Sequence, residues 1–258
     1  GLDEQASAWG AEPATDGAAA PESPRAAGLR VVTQAFASRQ GHVMLGHRGL
    51  AGLPSDPREH AALEVMNYIL SGGAFVSRMM ELLRTDTGIT SALYGSVEPG
   101  GDVPFPYLWR FSGNPETLAT GVRLAVAEIE RMREGGVTEA EFEGAVTSYL
   151  SGLIPASYET SHRTVERFAQ MAVLGRYLYQ SPGYLNYYAG DEAQVEALLA
   201  LTLDDVNAAA RRFLHPDELV VVVVGPLDEI LAGAALEDLP FVTPTGVTGV
   251  TPVTPTGG

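Results

Sequence analysis

The chain has 258 residues, with 32 acidic side chains against 16 basic ones and no cysteine. All 16 cations are arginine, which excludes Schiff-base and P-loop lysines, thiol nucleophiles, disulfides and thiolate metal sites. A formal charge of −16 argues against non-specific nucleic-acid binding, which needs a cationic surface. The longest strongly apolar run, Leu219 to Val224, falls far short of the roughly 20 residues of a bilayer crossing.

In chain order, Gly1 to about Gly28 is rich in Ala, Pro, Glu and Gly and has no hydrophobic period, so residues 1–28 read as a linker. The start lacks methionine and a basic region followed by an apolar one. No signal peptide is expected there, and the chain reads as a processed product or a piece of something longer. Strands are predicted at Leu29 to Val32 and Gln40 to Leu45. Asp56-Pro57 then opens a helix, with an N-cap acceptor and a proline at the first helical position. Its apolar residues are Ala62, Val65, Met66 and Ile69, and Ser71-Gly72-Gly73 stops it.

A second helix should carry Phe75, Met79 and Leu83 on one side and end near Gly88. Ile89 to Val97 alternates, which sets Ile89, Ser91, Leu93 and Val97 on one face and Thr90, Ala92, Tyr94 and Glu98 on the other. Pro99-Gly100-Gly101 turns the chain, and Phe105 to Phe111 returns as an antiparallel partner.

The second half reads as mostly helical. Asn114-Pro115 opens a helix with Leu118, Val122, Ala125, Ile129 and Met132 on its apolar face, closed by Gly135-Gly136. Thr138 and Glu141 form a capping box before Phe142, Ala145, Tyr149 and Leu153. A helix from about Thr160 should turn Val165, Phe168 and Ala172 inward. Thr202 with Asp205 starts another, carrying Val206, Ala209 and Phe213 up to Pro216. Leu219 to Val224 reads as a strand buried on both faces. The remainder, 241–258, repeats Thr, Pro and Gly and is expected to be a disordered tail. Strands, then helices, then a closing strand predict an α+β domain over residues 29–240, a mainly antiparallel sheet with a layer of helices packed on it.

Chemistry-bearing motifs are sparse. The five histidines (His42, His47, His60, His162 and His215) make neither HExxH nor its inverse HxxEH. His42 and His47 should face opposite sides of a strand, and His60 reads as a solvated helix residue. Paired carboxylates such as Asp204 and Asp205 stand in first helical turns, where they serve free amides and the helix dipole. No nucleophile elbow, Walker loop or dinucleotide fingerprint occurs. Arg78 reads as half of an internal ion pair. Arg84 reads as a surface residue that could donate paired hydrogen bonds beside a strand edge.

An ordered set of short motifs nevertheless stands out: Gln40 with Gly46-His47, Asp56-Pro57, Asn67 through Leu70-Ser71-Gly72-Gly73, and Phe75-Val76-Ser77-Arg78-Met79. Leu83-Arg84 leading to Gly88-Ile89, Gly136-Val137-Thr138 with Glu141, and Val222 to Gly225 complete it. In this order they resemble the C-terminal, non-catalytic half of the pitrilysin/insulinase family of zinc metallopeptidases, in its processing-peptidase-like branch. The resemblance implies one α+β half of a clam-shaped enzyme. The other half carries HxxEH and the zinc, in the same parent chain or in a separate subunit of a heterodimer.

No zinc is then expected in this chain, which should be inactive alone. The family's non-catalytic half supplies an arginine and a tyrosine that hold the substrate backbone. Arg84 matches the arginine; the tyrosine position, seven residues on, is Ser91. Tyr94, three residues further, should then point to the opposite face. The substrate-binding set implied is Arg84, Ser91, Tyr94, Gly72 and Gly73. A catalytically silent assembly subunit, like the respiratory-complex core proteins, is the alternative. The compartment stays open between bacterial periplasm and cytoplasm.

Overall fold

A computed structural model describes residues 28–49, 56–97, 106–177 and 191–232. The tail at 241–258, the turn at Pro99-Gly100-Gly101 and all of the expected linker except Gly28 lie outside them. Five strands form one sheet, β1 (Arg30–Ala35), β2 (Gly41–Arg48), β3 (Thr90–Val97), β4 (Pro106–Gly113) and β5 (Val220–Gly225), in the order β1-β5-β2-β4-β3. Only β1 and β5 run parallel; the other pairs are antiparallel.

The register explains how the sheet becomes two-sided. Val31, Val221, Leu45, Trp109 and Gly95 form one row across it, and the four side chains in that row are buried. The next residue of each strand makes the row Val32, Val222, Met44, Arg110 and Tyr94. There Met44, Arg110 and Tyr94 are exposed. Alternation along each strand therefore gives one apolar face and one open face. For β5 this corrects the expectation of burial on both faces. Val221 and Val223 are buried, whereas Val220, Val222 and Val224 are half-buried.

Helices cover the apolar face. Helix α1 (Pro57–Asn67) begins as its sequence dictates, the Asp56 carboxylate accepting from Arg58 N at 2.9 Å. It continues as a π-helical turn, Tyr68–Gly72. Helix α2 (Arg78–Met80) passes into another π-helical stretch, Glu81–Asp86. Met79 and Leu83 face the core, but Phe75 is 66% exposed. A 3₁₀ turn (Ala74–Val76) and an extended Ser77 separate Phe75 from the helix, so the helical spacing does not reach it.

Helix α3 (Pro115–Gly135) buries all five residues of its expected apolar face, each large side chain contributing about 1.5–3 kcal/mol. It ends at Gly136, whose φ of +71° suits glycine. Helix α4 (Glu139–Ser148) follows, then the short α5 (Ile154–Ala156) and α6 (Ser161–Tyr177). Val165 and Phe168 on α6 are exposed, contrary to expectation; a stripe on a helix does not say what will cover it. The side chains of Leu153 and Ala172 lie outside the described set. Helices α7 (Asp191–Leu199), α8 (Leu203–Phe213) and α9 (Leu227–Ala232) complete the layer; α7 and α9 escaped sequence reading.

His60 is buried on α1, not solvated. Burial lowers its pKa from 6.5 to about 4.

Two capping boxes do more than start helices. In the first, Thr138 and Glu141 cap α4, and the Glu141 carboxylate accepts from Arg78 Nε at 2.6 Å and Nη2 at 2.7 Å. Arg78 also donates to Gly136 O at 3.0 Å and lies 3.5 Å from the buried Glu128. Thr202 and Asp205 cap α8, and Asp205 in turn accepts from Arg58 at the start of α1. Each cap thus ties a helix start to a distant element.

Arg78→Met should destabilise the fold by about 1–3 kcal/mol in urea titrations, because Glu141 loses its paired hydrogen bonds and Glu128 is left with Arg131 alone; an unchanged midpoint would contradict this. Acid should act in two windows. The His60 pKa lies below its unfolded value, so stability present above pH 6.5 is lost as pH falls through about 4. Hydrogen bonds from Arg78 hold Glu141 at about 2, so its contribution, complete above 4.5, is lost as pH falls through about 2. Glu141→Gln should flatten only the lower window of the stability–pH curve.

Gly95 is closely packed: a Cβ there would lie 2.5 Å from Ser71 Cβ and 2.6 Å from Trp109 Cδ1. Gly95→Ala should therefore lower stability by about 1–3 kcal/mol, read from the urea midpoint. An unchanged midpoint would show that the turn after α1 can yield.

Candidate functional site on the open sheet face

Strand β3 is an edge strand, and its register against β4 contains one irregularity. Thr90 pairs with Gly113 but Leu93 pairs with Phe111, so β3 holds one extra residue between them. This is a β-bulge. Thr90 closes it locally: its hydroxyl donates to Ser112 O at 2.7 Å and accepts from Ala92 N at 3.3 Å. Leu93 N meanwhile donates to Met80 Sδ at 3.2 Å.

The bulge overturns the expected faces. Thr90 and Leu93 are both buried, while Ser91 and Tyr94 are both exposed. Uniform alternation would put residues three apart on opposite sides; the extra residue restores them to one side. Ser91 and Tyr94 line a single cavity of about 520 Å³ on the open face, together with His42, Met44, Arg110 and Val222. His42 Nδ1 lies 2.7 Å from Ser112 Oγ, and the Arg110 guanidinium sits 5.5 Å from the centre of the Tyr94 ring. Sequence reading missed Arg110, although it is the only charged residue between Phe105 and Phe111; the register alone shows where it stands.

Other members of the expected set lie elsewhere. Arg84 is exposed on the π-helical stretch that packs beside β3, with its guanidinium 4.4 Å from the Phe75 ring centre. It does not line the cavity. Gly72 and Gly73 end the turn after α1. A Cβ at Gly73 would lie 2.8 Å from Tyr68 O, and one at Gly72 would lie 3.0 Å from Asn67 Nδ2, so close packing accounts for both glycines. The same turn is fastened to the sheet by Trp109 Nε1, which donates to Ser71 Oγ at 3.0 Å, and by Tyr107 OH, which donates to Asn67 Oδ1 at 2.7 Å.

His47 is buried at the end of β2. Its Nδ1 is 2.9 Å from Arg48 O, its Nε2 has no hydrogen-bond partner, and its ring meets that of His215 edge-on at 5.3 Å. Burial lowers the His47 pKa from 6.5 to about 4. Two imidazoles do not make a zinc site, which takes at least three protein ligands. Among the described residues no group of three His, Cys, Asp or Glu is placed to hold a metal.

Likenesses to known proteins agree with this architecture. A structure of a peptidase M16 inactive domain from Pseudomonas fluorescens superposes with a TM-score of 0.61 at 24% identity, covering 79% of this chain and 44% of that one. A protease from Helicobacter pylori gives 0.60 at 20% identity, covering 79% and 45%. The periplasmic protease PqqL from Escherichia coli gives 0.58 at 19%, covering 78% and 21%. The chain thus spans less than half the length of these proteins. No curated protein matches it by sequence. No helix among the described residues is long and apolar enough to cross a membrane. The family described as the peptidase M16 inactive domain matches residues 3–149, more than half of the chain, and this chain belongs to that family.

Proposed function

We propose that the chain is the substrate-binding, non-catalytic half of a zinc-dependent peptidase. It grips a peptide for hydrolysis by an HxxEH-bearing half, in the same parent chain or in a partner subunit. Zinc and the hydrolytic water belong to that other half. The observation that carries the reading is the cavity on the open sheet face, with Ser91 and Tyr94 on one wall beside an edge strand.

The chemistry asked of this half is positioning. An extended peptide can pair with the outer edge of β3, whose backbone groups have no neighbouring strand among the described residues. Tyr94 presents a phenol that can donate to a substrate carbonyl from the face where Ser91, at the family's tyrosine position, has only a short hydroxyl. The bulge thus lets Tyr94 take over the hydroxyl donor's part. Arg84, stacked on Phe75, is held next to that strand as the second donor. Donors fixed in advance set the peptide's register and stabilise charge that develops at the scissile carbonyl.

Ser91 at the tyrosine position also favours a second reading, an assembly subunit without peptidase activity. Reconstitution with the HxxEH half separates the two. The peptidase reading expects cleavage of an unstructured peptide only when both parts are present. Tyr94→Phe and Arg84→Ala should each lower kcat/KM about a hundredfold, and Ser91→Ala should leave it nearly unchanged. Full activity without this chain would overturn the reading. A stable complex that lacks any HxxEH partner would favour the assembly role.

A further inference from the structure

We propose that Arg110 is a specificity residue that selects a peptide with an aspartate or glutamate side chain at the position facing β4. The proposal rests on the peptide-gripping reading and deepens it.

Arg110 stands on β4 in the outward row Val32, Val222, Met44, Arg110 and Tyr94, between Met44 and the edge residue Tyr94. The other cavity-lining side chains are hydroxyl-bearing, apolar or imidazole, and the imidazole of His42 is engaged with Ser112. Several other arginines of this acidic chain meet carboxylates: Arg58 meets Asp205, Arg78 meets Glu141, Arg131 meets Glu128, Arg163 meets Glu159 and Arg212 meets Glu59. Arg110 has no carboxylate partner among the described residues; its recorded contact is the face of the Tyr94 ring. Stacking on a ring orients the guanidinium plane and leaves its N–H edge free to donate two parallel bonds to a carboxylate.

The setting makes that bond count. A peptide paired along the edge of β3 would lay one side chain over the open face toward Arg110, beside Tyr94 and the apolar Met44, and exclude water there. Removing water strengthens a charge-assisted bond, but leaves the cation unpaired when the peptide is neutral there. A side chain fits better than a chain terminus. The open face continues past Arg110 in both directions along the strands, to Ser112 and His42 on one side and to Leu108 and Val220 on the other. A peptide can therefore run through the position without ending at it.

The test uses the 258-residue chain and calorimetric titration with nine-residue peptides of alternating Thr and Val. One peptide carries a central Glu with both termini capped, and a second carries a central Gln with both termini capped. A third carries the central Gln with a free C-terminal carboxylate. The wild type should bind the Glu peptide about tenfold more tightly than the capped Gln peptide, the size expected for one charge-assisted bond. Arg110→Gln should bind both capped peptides alike, and Arg110→Lys should keep part of the preference; circular dichroism verifies that each variant is folded. Equal wild-type affinity for the two capped peptides would overturn the proposal while leaving peptide gripping intact. So would a preference that survives in Arg110→Gln, or a free C-terminus that substitutes fully for the Glu side chain. If no peptide binds either the chain alone or the chain reconstituted with the HxxEH half, both the selectivity and the gripping role fall.

Discussion

A single helical layer against one face of the sheet is the constraint on which the rest of the molecule depends. Residues at alternate positions of each strand enter the core, so Val31, Val221, Leu45 and Trp109 share one row. Their neighbours face outward, and no helix among the described residues covers them. The open face is thus a direct product of strand geometry, and it carries Tyr94, Arg110 and Met44. In an all-parallel sheet with helices on both faces no such surface would exist. Here β5, although central in the sheet, is buried on one side only.

The layer is held in place by carboxylates that serve two masters. Glu141 satisfies free amides at the start of α4 and also receives Arg78 from the start of α2. Asp205 does the same for α8 and Arg58. A capping acid is already fixed in position by the helix it starts, so an arginine that reaches it loses less freedom on pairing than it would with a mobile surface acid. Arg78, read from the sequence as half of an internal ion pair, takes that structural role. Arg84 and Arg110 differ in that aromatic rings, not carboxylates, hold them.

The bulge in β3 links structure to the functional reading. One extra residue, closed by the Thr90 hydroxyl, moves Tyr94 to the side of Ser91. Uniform alternation puts Ser91 and Tyr94 on opposite faces, whereas the folded strand lines one cavity with both. Bulges re-aim side chains in this way at functional edges. Of the closely packed glycines, Gly95 makes room for the contact between the turn after α1 and the sheet, whereas Gly73 packs within the turn itself, against Tyr68.

Much of the architecture was legible from local chemistry. Asp56-Pro57, Asn114-Pro115 and the two capping boxes start helices where the residues demand, because those interactions lie within one turn of chain. The apolar stripe of α3 and the order of motifs pointed to the α+β class and to the family. Tertiary structure alone decided which stripes find cover, so Val165 and Phe168 stay exposed while His60 is buried. It also decided the faces of Ser91 and Tyr94 and placed Arg110 at the middle of the open cavity. The faces of Ser91 and Tyr94 depend on the bulge in the β3–β4 pairing and the placing of Arg110 on pairing with the distant β2, and a shift of one residue in either reverses every side chain beyond it.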